Sequence, residues 1–222
     1  MIDFHAHILP KADHGSDSIE TSLFQINSAK AAGIDTIVAT PHFYINNDDI
    51  DSFSARRETA FQSLLKAINE LNIDIKIVKA AEVTLMVDLL SIDDLSPLCI
   101  EGTNYMLLEM PMNVVWTSWH YEAVDEIIKR GIKPIIAHIN RYQYFYVKKL
   151  FDKDVLFQIN VESFDKFSTR KNNKRIYKLG HIDLIGSDIH ERSIVYTKWL
   201  KYQKRYSKMF EQFNENANKI LY

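Results

Sequence analysis

Histidines and acids recur along this 222-residue chain at the places where short apolar runs end. The first run closes on His5-Ala6-His7. Later runs lead into Pro41-His42, Glu82, Glu109 and His138, and the last closes on Ser187-Asp188-Ile189-His190. Of the eight histidines, His5, His7, His14, His42, His138 and His190 fall in this pattern. Neutral imidazole and carboxylate are ligands for zinc, manganese and iron, and no thiolate is among them. His5 and His7 are two apart on an extended run, so both project to one face and can share an ion; Asp188 and His190 have the same spacing. A glutamate can bridge two ions through its two oxygens. Two ions about 3.5–4 Å apart clamp an in-line displacement at phosphorus. One histidine at a strand end is more often structural than a ligand; the joint placement of six points to a metal centre. Glu82 in KAAEV and Glu109 in LLEMP lie inside apolar sequence, where an unpaired carboxylate is very costly, so each needs a cation or a donor. His120 and His181 fall outside the pattern and read as packing or surface and as turn. Period two points Asp3 the same way as His5, as a structural residue or a support to the ligands.

These side chains need a scaffold that brings distant positions together. Strands are expected over Ile2–His7, Asp35–Thr40, Ile75–Val83, Tyr105–Met110, Lys133–His138, Leu156–Val161 and Asp183–Ser187. Each is short and apolar without clean alternation, as in a parallel sheet buried on both faces. Helices are expected between them. One opens at a capping box over Asp17–Glu20 and ends near Gly33. A second runs from about Asp51 to Glu70. A third is capped by Thr117 or Ser118 and ends at Lys129-Arg130-Gly131. A fourth lies near Thr169–Leu179, and the last covers Val195–Asn214. Repeated β-α units without a Gly/Ser/Pro-rich linker predict one domain over residues 1–222, an α/β barrel of the TIM type with seven strands; a doubly wound open sheet is the competitor. The polar residues then converge at the carboxyl ends of the strands, where such barrels build their sites.

Composition narrows the setting. Lys+Arg 27 against Asp+Glu 29 gives a formal charge of −2, which argues against a nucleic-acid partner. A single cysteine excludes an internal disulfide and fits a reducing compartment. No stretch approaches the roughly 20 apolar residues of a membrane span, and the acidic start MIDFHAH lacks the basic region of a signal peptide. The expected location is cytoplasmic.

The ordered set of H-x-H near the N-terminus, Thr40-Pro41-His42, strand-terminal Glu, Ala137-His138-x-x-Arg141-Tyr142 and Ser187-Asp188-x-His190 resembles the PHP (polymerase and histidinol phosphatase) superfamily. The opening MIDFHAHILP, followed by Asp13 and Gly15, is most similar to the manganese-dependent protein-tyrosine phosphatases of bacterial capsule and exopolysaccharide loci, the CpsB/YwqE type. The resemblance runs from Met1 to about His190. It implies a distorted (β/α)7 barrel of the PHP type and three divalent metal ions, manganese first, with iron or zinc as alternatives. It places His5, His7, Glu82 and Asp188 on the first ion, and Glu82, Glu109 and His138 on the second. His42, His190 and His14 would hold the third, with Asp13 as the fallback for His14, because relatives usually carry Asp-Asp-Gly where this chain has Asp13-His14-Gly15. It implies that Arg141 engages a substrate phosphate, with Asp188 and His42 as catalytic candidates. A second family arginine has no match; Val195 occupies about that position and Arg192 lies nearby. The implied partner is a phosphotyrosine protein, the tail of a bacterial tyrosine kinase.

Other readings remain at this point. Another PHP phosphatase would act on a small molecule such as histidinol phosphate or a nucleotide. An amidohydrolase shares H-x-H but commonly needs a bridging lysine. A non-catalytic metal-binding module is the fourth. The cysteine route to phosphotyrosine hydrolysis would require Cys99, but PLCIEGTNY has no arginine close downstream, so Cys99 reads as a small buried residue. Trp116, Trp119, Tyr142, Tyr144, Phe145 and Tyr146 are either packing or a wall for a phosphotyrosine ring, packing being favoured. The basic run Lys198–Lys208 reads as a solvated helix face.

Overall fold

A computed structural model describes residues 1–166 and 180–222. The helix expected over Thr169–Leu179 lies outside the described residues.

The β-α alternation is present. β1 (Ile2–Ala6), β2 (Thr36–Ala39) and β4 (Lys76–Lys79) form one sheet in the order β1-β2-β4. β3 (His42–Phe43), β5 (Glu82–Thr84), β6 (Tyr105–Glu109), β7 (Lys133–Ile136), β8 (Leu156–Asn160) and β9 (Leu184–Gly186) form a second in the order β3-β5-β6-β7-β8-β9. Every pairing is parallel. The run expected as one strand at Ile75–Val83 is two, β4 and β5, whereas Asp35–Thr40 holds β2 alone and β3 lies beyond it. Pro41, which has no N–H for a ladder, separates β2 from β3. Hydrogen bonds nonetheless cross both interruptions, from the Ala80 N–H to the Ala39 carbonyl at 2.9 Å and from the Glu82 N–H to the Pro41 carbonyl at 3.0 Å. The sheets also meet where the Asp188 N–H donates to the His5 carbonyl (2.7 Å) and the His7 N–H to the Ile189 carbonyl (3.1 Å). The result is a mixed α/β fold around a curled, half-barrel parallel sheet.

β1 carries an irregularity that matters for the site. Asp3 pairs with Ile37 and Ala6 with Ala39, so three steps on β1 match two on β2. An extra residue re-aims the side chains beyond it. Phe4 joins the cluster containing Val38, Leu107, Ile135 and Leu184, whereas Ala6 joins the cluster beneath the helices. Asp3 lies on the regular part of β1, before the irregularity, and is fully buried. Its carboxylate accepts hydrogen bonds from Tyr196 Oη and the Ser187 N–H, both at 2.8 Å, and ties β1 to the chain beyond β9.

α1 (Ile19–Ala31) is capped by Ser18, one residue later than expected: Ser18 is extended and accepts from the Thr21 N–H, while Asp17 accepts from the Thr21 hydroxyl at 2.6 Å. α2 (Ile50–Glu70) is capped by Asp49 and buries Phe53, Ala60, Phe61, Leu64 and Ile68 along one face. α3 (Ser118–Lys129) starts at Thr117, whose N–H donates to His120 Nδ1 at 3.0 Å, which gives His120 a capping role. A four-residue α4 (Tyr144–Val147) follows β7. The expected last helix is two, α5 (Val195–Arg205) and α6 (Ser207–Leu221). Tyr206 leaves helical geometry at φ −125°, ψ 40°, and the turn seats Phe210 edge-on against buried Trp199 at 5.6 Å. No helix among the described residues is long and apolar enough to cross a membrane.

Candidate metal centre

The end of β1, the start of β5 and the chain beyond β9 bring His5, His7, Glu82 and Asp188 into one buried group. His5 Nε2 lies 3.1 Å from His7 Nε2, 3.1 Å from Glu82 Oε2 and 3.5 Å from Asp188 Oδ1. His7 Nε2 lies 3.1 Å from Glu82 Oε2 and 3.4 Å from Asp188 Oδ1. A point at the centre of a tetrahedron with such edges is about 2.0 Å from each corner, the length of a zinc–nitrogen or zinc–oxygen bond. Four lone-pair donors facing one point repel each other unless a cation or protons stand between them. The donor set fits a divalent ion.

The protein fixes two of these imidazoles from behind. His7 Nδ1 lies 2.6 Å from Asp13 Oδ2, and Asp13 also accepts from the Gly15 N–H (2.8 Å) and the His42 N–H (2.9 Å). The N–H on Nδ1 leaves the Nε2 lone pair for a cation, the usual carboxylate support of a metal-binding histidine. Asp13, the fallback for His14, thus has both oxygens engaged beside His7. His5 Nδ1 lies 3.3 Å from Gln158 Oε1. Two glycines admit this crowding: a Cβ on Gly15 would stand 2.1 Å from His7 Cβ, and one on Gly186 would stand 2.5 Å from His5 Cβ.

Charge placement agrees. Burial disfavours a charged His5, but Glu82 and Asp188 outweigh it and raise its pKa; His7 is raised well above its ordinary value, with burial opposed by Asp13, Asp188 and Glu82. Burial would raise Glu82 and Asp188, yet the imidazoles, joined at Asp188 by Arg141, hold both carboxyls well below the usual range. Burial pushes His42 down to about 3 against the pull of Glu82, and lowers His190 together with His7.

Further groups of imidazoles and carboxylates adjoin the first. Glu82 Oε1 lies 2.8 Å from His138 Nε2, which lies 3.5 Å from Glu109 Oε1; the other Glu109 oxygen accepts from Thr84 Oγ1 at 2.8 Å. His42, Glu82 and Glu109 form a second compact group and His7, His42 and His190 a third. His42 Nδ1 is buried without a hydrogen bond and stands 3.2 Å from Glu82 Oε2, an orphaned lone pair facing a carboxylate. That is a second mark of a cation position. His14 stands exposed at the rim, its ring stacked at 4.9 Å on His42 and 4.7 Å on His190. Two of the gathered residues have left-handed backbone, His138 at φ 29° and Asp188 at φ 52°. Such conformations cost about 1–3 kcal/mol and collect at functional sites.

Arg141 reaches the group from the loop after β7, where its Nη2 donates to Asp188 Oδ2 while the side chain stays 41% exposed. Arg192 does not face it; its guanidinium lies 5.7 Å from the centre of the Phe24 ring on α1. Trp116, Tyr142 and Tyr146 are buried and pack on one another, as the packing reading expects, and Tyr142 Oη accepts from the Met110 N–H at 3.1 Å. Phe145 is exposed. Cys99 is buried, its thiol pushed up to about 11 by burial first and Asp94 second. The sequence reading missed Tyr44, whose ring stacks on His42 at 5.2 Å, and the pair Gln158 and Asn160. The pair left a signal: two amides at i and i+2 in an otherwise apolar parallel strand.

The chain is similar to several known proteins. The tyrosine-protein phosphatase CpsB of Streptococcus agalactiae serotype V is 26% identical over 211 residues, covering 87% of this chain and 84% of that protein. A crystal structure of YwqE from Bacillus subtilis and CpsB from Streptococcus pneumoniae, described as unique metal-dependent tyrosine phosphatases, matches with a TM-score of 0.84 at 24% identity, over 100% of this chain and 94% of that one. The histidinol phosphate phosphatase of Lactococcus lactis shares the fold at a TM-score of 0.55 and 16% identity, over 92% of each chain. The family model for capsular polysaccharide synthesis, CpsB/CapC, matches residues 1–222, and the chain belongs to that family.

Proposed function

We propose that this chain is a metal-dependent protein-tyrosine phosphatase of capsule or exopolysaccharide synthesis, acting in the cytoplasm on the phosphorylated tail of a bacterial tyrosine kinase. The observation that carries the reading is the buried set of His5, His7, Glu82 and Asp188, spaced as a cation cage, with Arg141 at its edge. The relatives named tyrosine-protein phosphatases supply the substrate class. The fold in this reading is one domain over residues 1–222, a distorted (β/α)7 barrel in which β2 with β3, and β4 with β5, each count as one interrupted strand.

Three divalent ions, manganese first and iron or zinc as alternatives, would be held by His5, His7, Glu82 and Asp188, by Glu82, Glu109 and His138, and by His42, His190 and His14. Bound there, such ions supply Lewis-acid stabilisation and a water acidic enough to attack phosphorus near neutral pH. The residues do the rest. Glu82 spans the first two sets through its two oxygens, 3.1 Å from His5 and 2.8 Å from His138. Arg141 turns its free N–H groups to the phosphate, where a guanidinium can make bidentate contacts. Beside it a cleft of about 370 Å³, lined by Val114, Trp116, Tyr142 and Tyr146, has room for a phenyl ring. The products are tyrosine and phosphate. The phenolate leaving group needs little protonation, because a tyrosine's ordinary pKa is about 10.

The test is a substrate panel on protein loaded with Mn²⁺, Zn²⁺ or Fe²⁺: phosphotyrosine peptide, histidinol phosphate, nucleotides and an amide. Phosphotyrosine peptide should be hydrolysed fastest. Turnover of histidinol phosphate without any turnover of the peptide would replace this reading.

A further inference from the structure

β8 lies against the metal centre without contributing a ligand, yet its two amides are buried among the ligands. Gln158 is fully buried and Asn160 nearly so. The backbone N–H of His138 donates to Gln158 at 2.6 Å. A backbone amide has only a proton to offer, so the Gln158 atom facing it is the oxygen. That same oxygen lies 3.3 Å from His5 Nδ1, which must then carry the proton and leave the Nε2 lone pair pointing into the cage. With its oxygen committed, Gln158 donates through Nε2 to Asn160 Oδ1 at 2.9 Å. Asn160 is thereby oriented as well, and its Nδ2 donates to Asp188 Oδ2 at 2.7 Å. Asp188 keeps Oδ1 for the cage, 3.5 Å from His5 Nε2 and 3.4 Å from His7 Nε2.

We propose that Gln158 and Asn160 are positioning residues that form a hydrogen-bond chain of one fixed direction, setting the donor atoms of His5 and Asp188 together. The inference rests on the metal-centre reading and deepens it. The chain starts on a group that cannot flip, and each amide orientation forces the next. Reversing any link sets two donors or two acceptors face to face in a buried site. The wrong tautomer of His5 would put a proton on Nε2, where a cation must sit. The His138 N–H that anchors the chain belongs to a residue with left-handed backbone, φ 29°, so the strained conformation and the anchor coincide. Gly186 keeps the space: a Cβ there would stand 2.7 Å from Gln158 Nε2. The far end explains why Asp188 has two donors on Oδ2. When Arg141 turns to a substrate phosphate, Asn160 still holds the carboxylate in place.

The test is calorimetric titration of metal-stripped protein with Mn²⁺ and with Zn²⁺ for the wild type, Gln158→Met, Asn160→Leu, the double variant and Asn160→Asp. Methionine and leucine keep the volume and remove the chain; aspartate keeps the shape and removes the donor. Each single variant should bind metal about 10- to 100-fold more weakly, the usual effect of losing a ligand's support. The double variant should bind about as weakly as the weaker single, because a chain broken once is broken. At a pH high enough to make His5 neutral, the ¹⁵N spectrum of metal-free Gln158→Met should show His5 in both tautomers, where the wild type shows only the Nδ1–H form. Affinities within about twofold of the wild type, or losses that multiply in the double variant, overturn the proposal. Melting curves of the metal-free proteins identify any variant that does not fold, and Asn160→Asp, nearly isosteric, then carries the measurement. A wild type that binds neither ion ends the metal-centre reading itself, a result distinct from variants that bind as well as the wild type.

Discussion

His5, His7, Glu82 and Asp188 have side chains only 0–2% exposed, while those of His190 and Arg141 are 29% and 41% exposed and His14 stands open at the rim. Asp13 and Gln158 fix the two imidazoles, and Asn160 and Arg141 hold Asp188. The rim set rests on ring stacking among His14, His42 and His190 and on a partly exposed arginine. Depth and rim should therefore fail differently. Changes in the depth should cost metal, and changes at the rim should cost turnover while metal remains.

The largest effect belongs to Glu82, which touches His5, His7 and His138. Glu82→Gln removes a charge that several imidazoles face, and the loss of several kcal/mol of metal-ion stabilisation corresponds to about a 10³-fold or greater drop in turnover. Metal content by elemental analysis should fall with it. A variant that keeps both its metal and its activity would remove the distinction between depth and rim. Next is Arg141→Ala, which should lower kcat/KM for phosphotyrosine peptide by about 10- to 100-fold, from the loss of a charge-assisted contact of about 1.5–3 kcal/mol. Its metal content should be that of the wild type. Arg141→Lys should recover only part, because an ammonium lacks the planar fork.

Depth and rim also differ in how far the sequence reveals them. The imidazoles and carboxylates, and their places at strand ends, follow from residue identity and from the β-α alternation, which is why the side chains of His5, Glu82, His138 and Asp188 come together. What escapes is whatever depends on one residue more or less. No periodic pattern encodes the extra residue in β1, and the partner of Asp3, Tyr196, is distant in sequence. β3, only two residues long after Pro41, is too short for apolarity to mark. The break at Tyr206 depends on the seat that Trp199 offers Phe210. Asp13 and Asn160 act through partners distant in sequence, so their roles appear only once the loop and β8 are folded against the ligands. Gln158 could be suspected as an amide in an apolar strand, but its direction of donation depends on a backbone N–H at His138.

A smaller effect should appear in pH dependence. His5 and His7 have raised pKa values, so in the metal-free protein they keep protons above the ordinary histidine value near 6.5. Those protons stabilise the metal-free fold at acid pH, and that contribution is lost as pH rises through the raised values. A cation must displace them, so its affinity for the buried set should climb as pH rises past the ordinary histidine value, up to about tenfold per pH unit for each proton released. His42, lowered to about 3, and His190, also lowered, are already neutral in that range, so binding at the rim should change little. Calorimetry in two buffers of different ionisation enthalpy counts the protons. Equal proton release from tight and weak sites would contradict the contrast.

The smallest effect is expected at Cys99, outside both regions. Its thiol is buried, pushed up to about 11, and lies 3.8 Å from the Leu95 carbonyl with which it makes a weak contact. A nucleophilic cysteine needs the opposite setting, a lowered pKa beside cations. Cys99→Ser should leave phosphotyrosine hydrolysis within about twofold of the wild type and cost about 1–2 kcal/mol of stability, from a hydroxyl placed in an apolar pocket. At this chain length that is a melting temperature lower by roughly 2–4 °C per kcal/mol. An inactive but folded and metal-loaded Cys99→Ser protein would move the chemistry away from both depth and rim, because no distance from the imidazole cage could explain it.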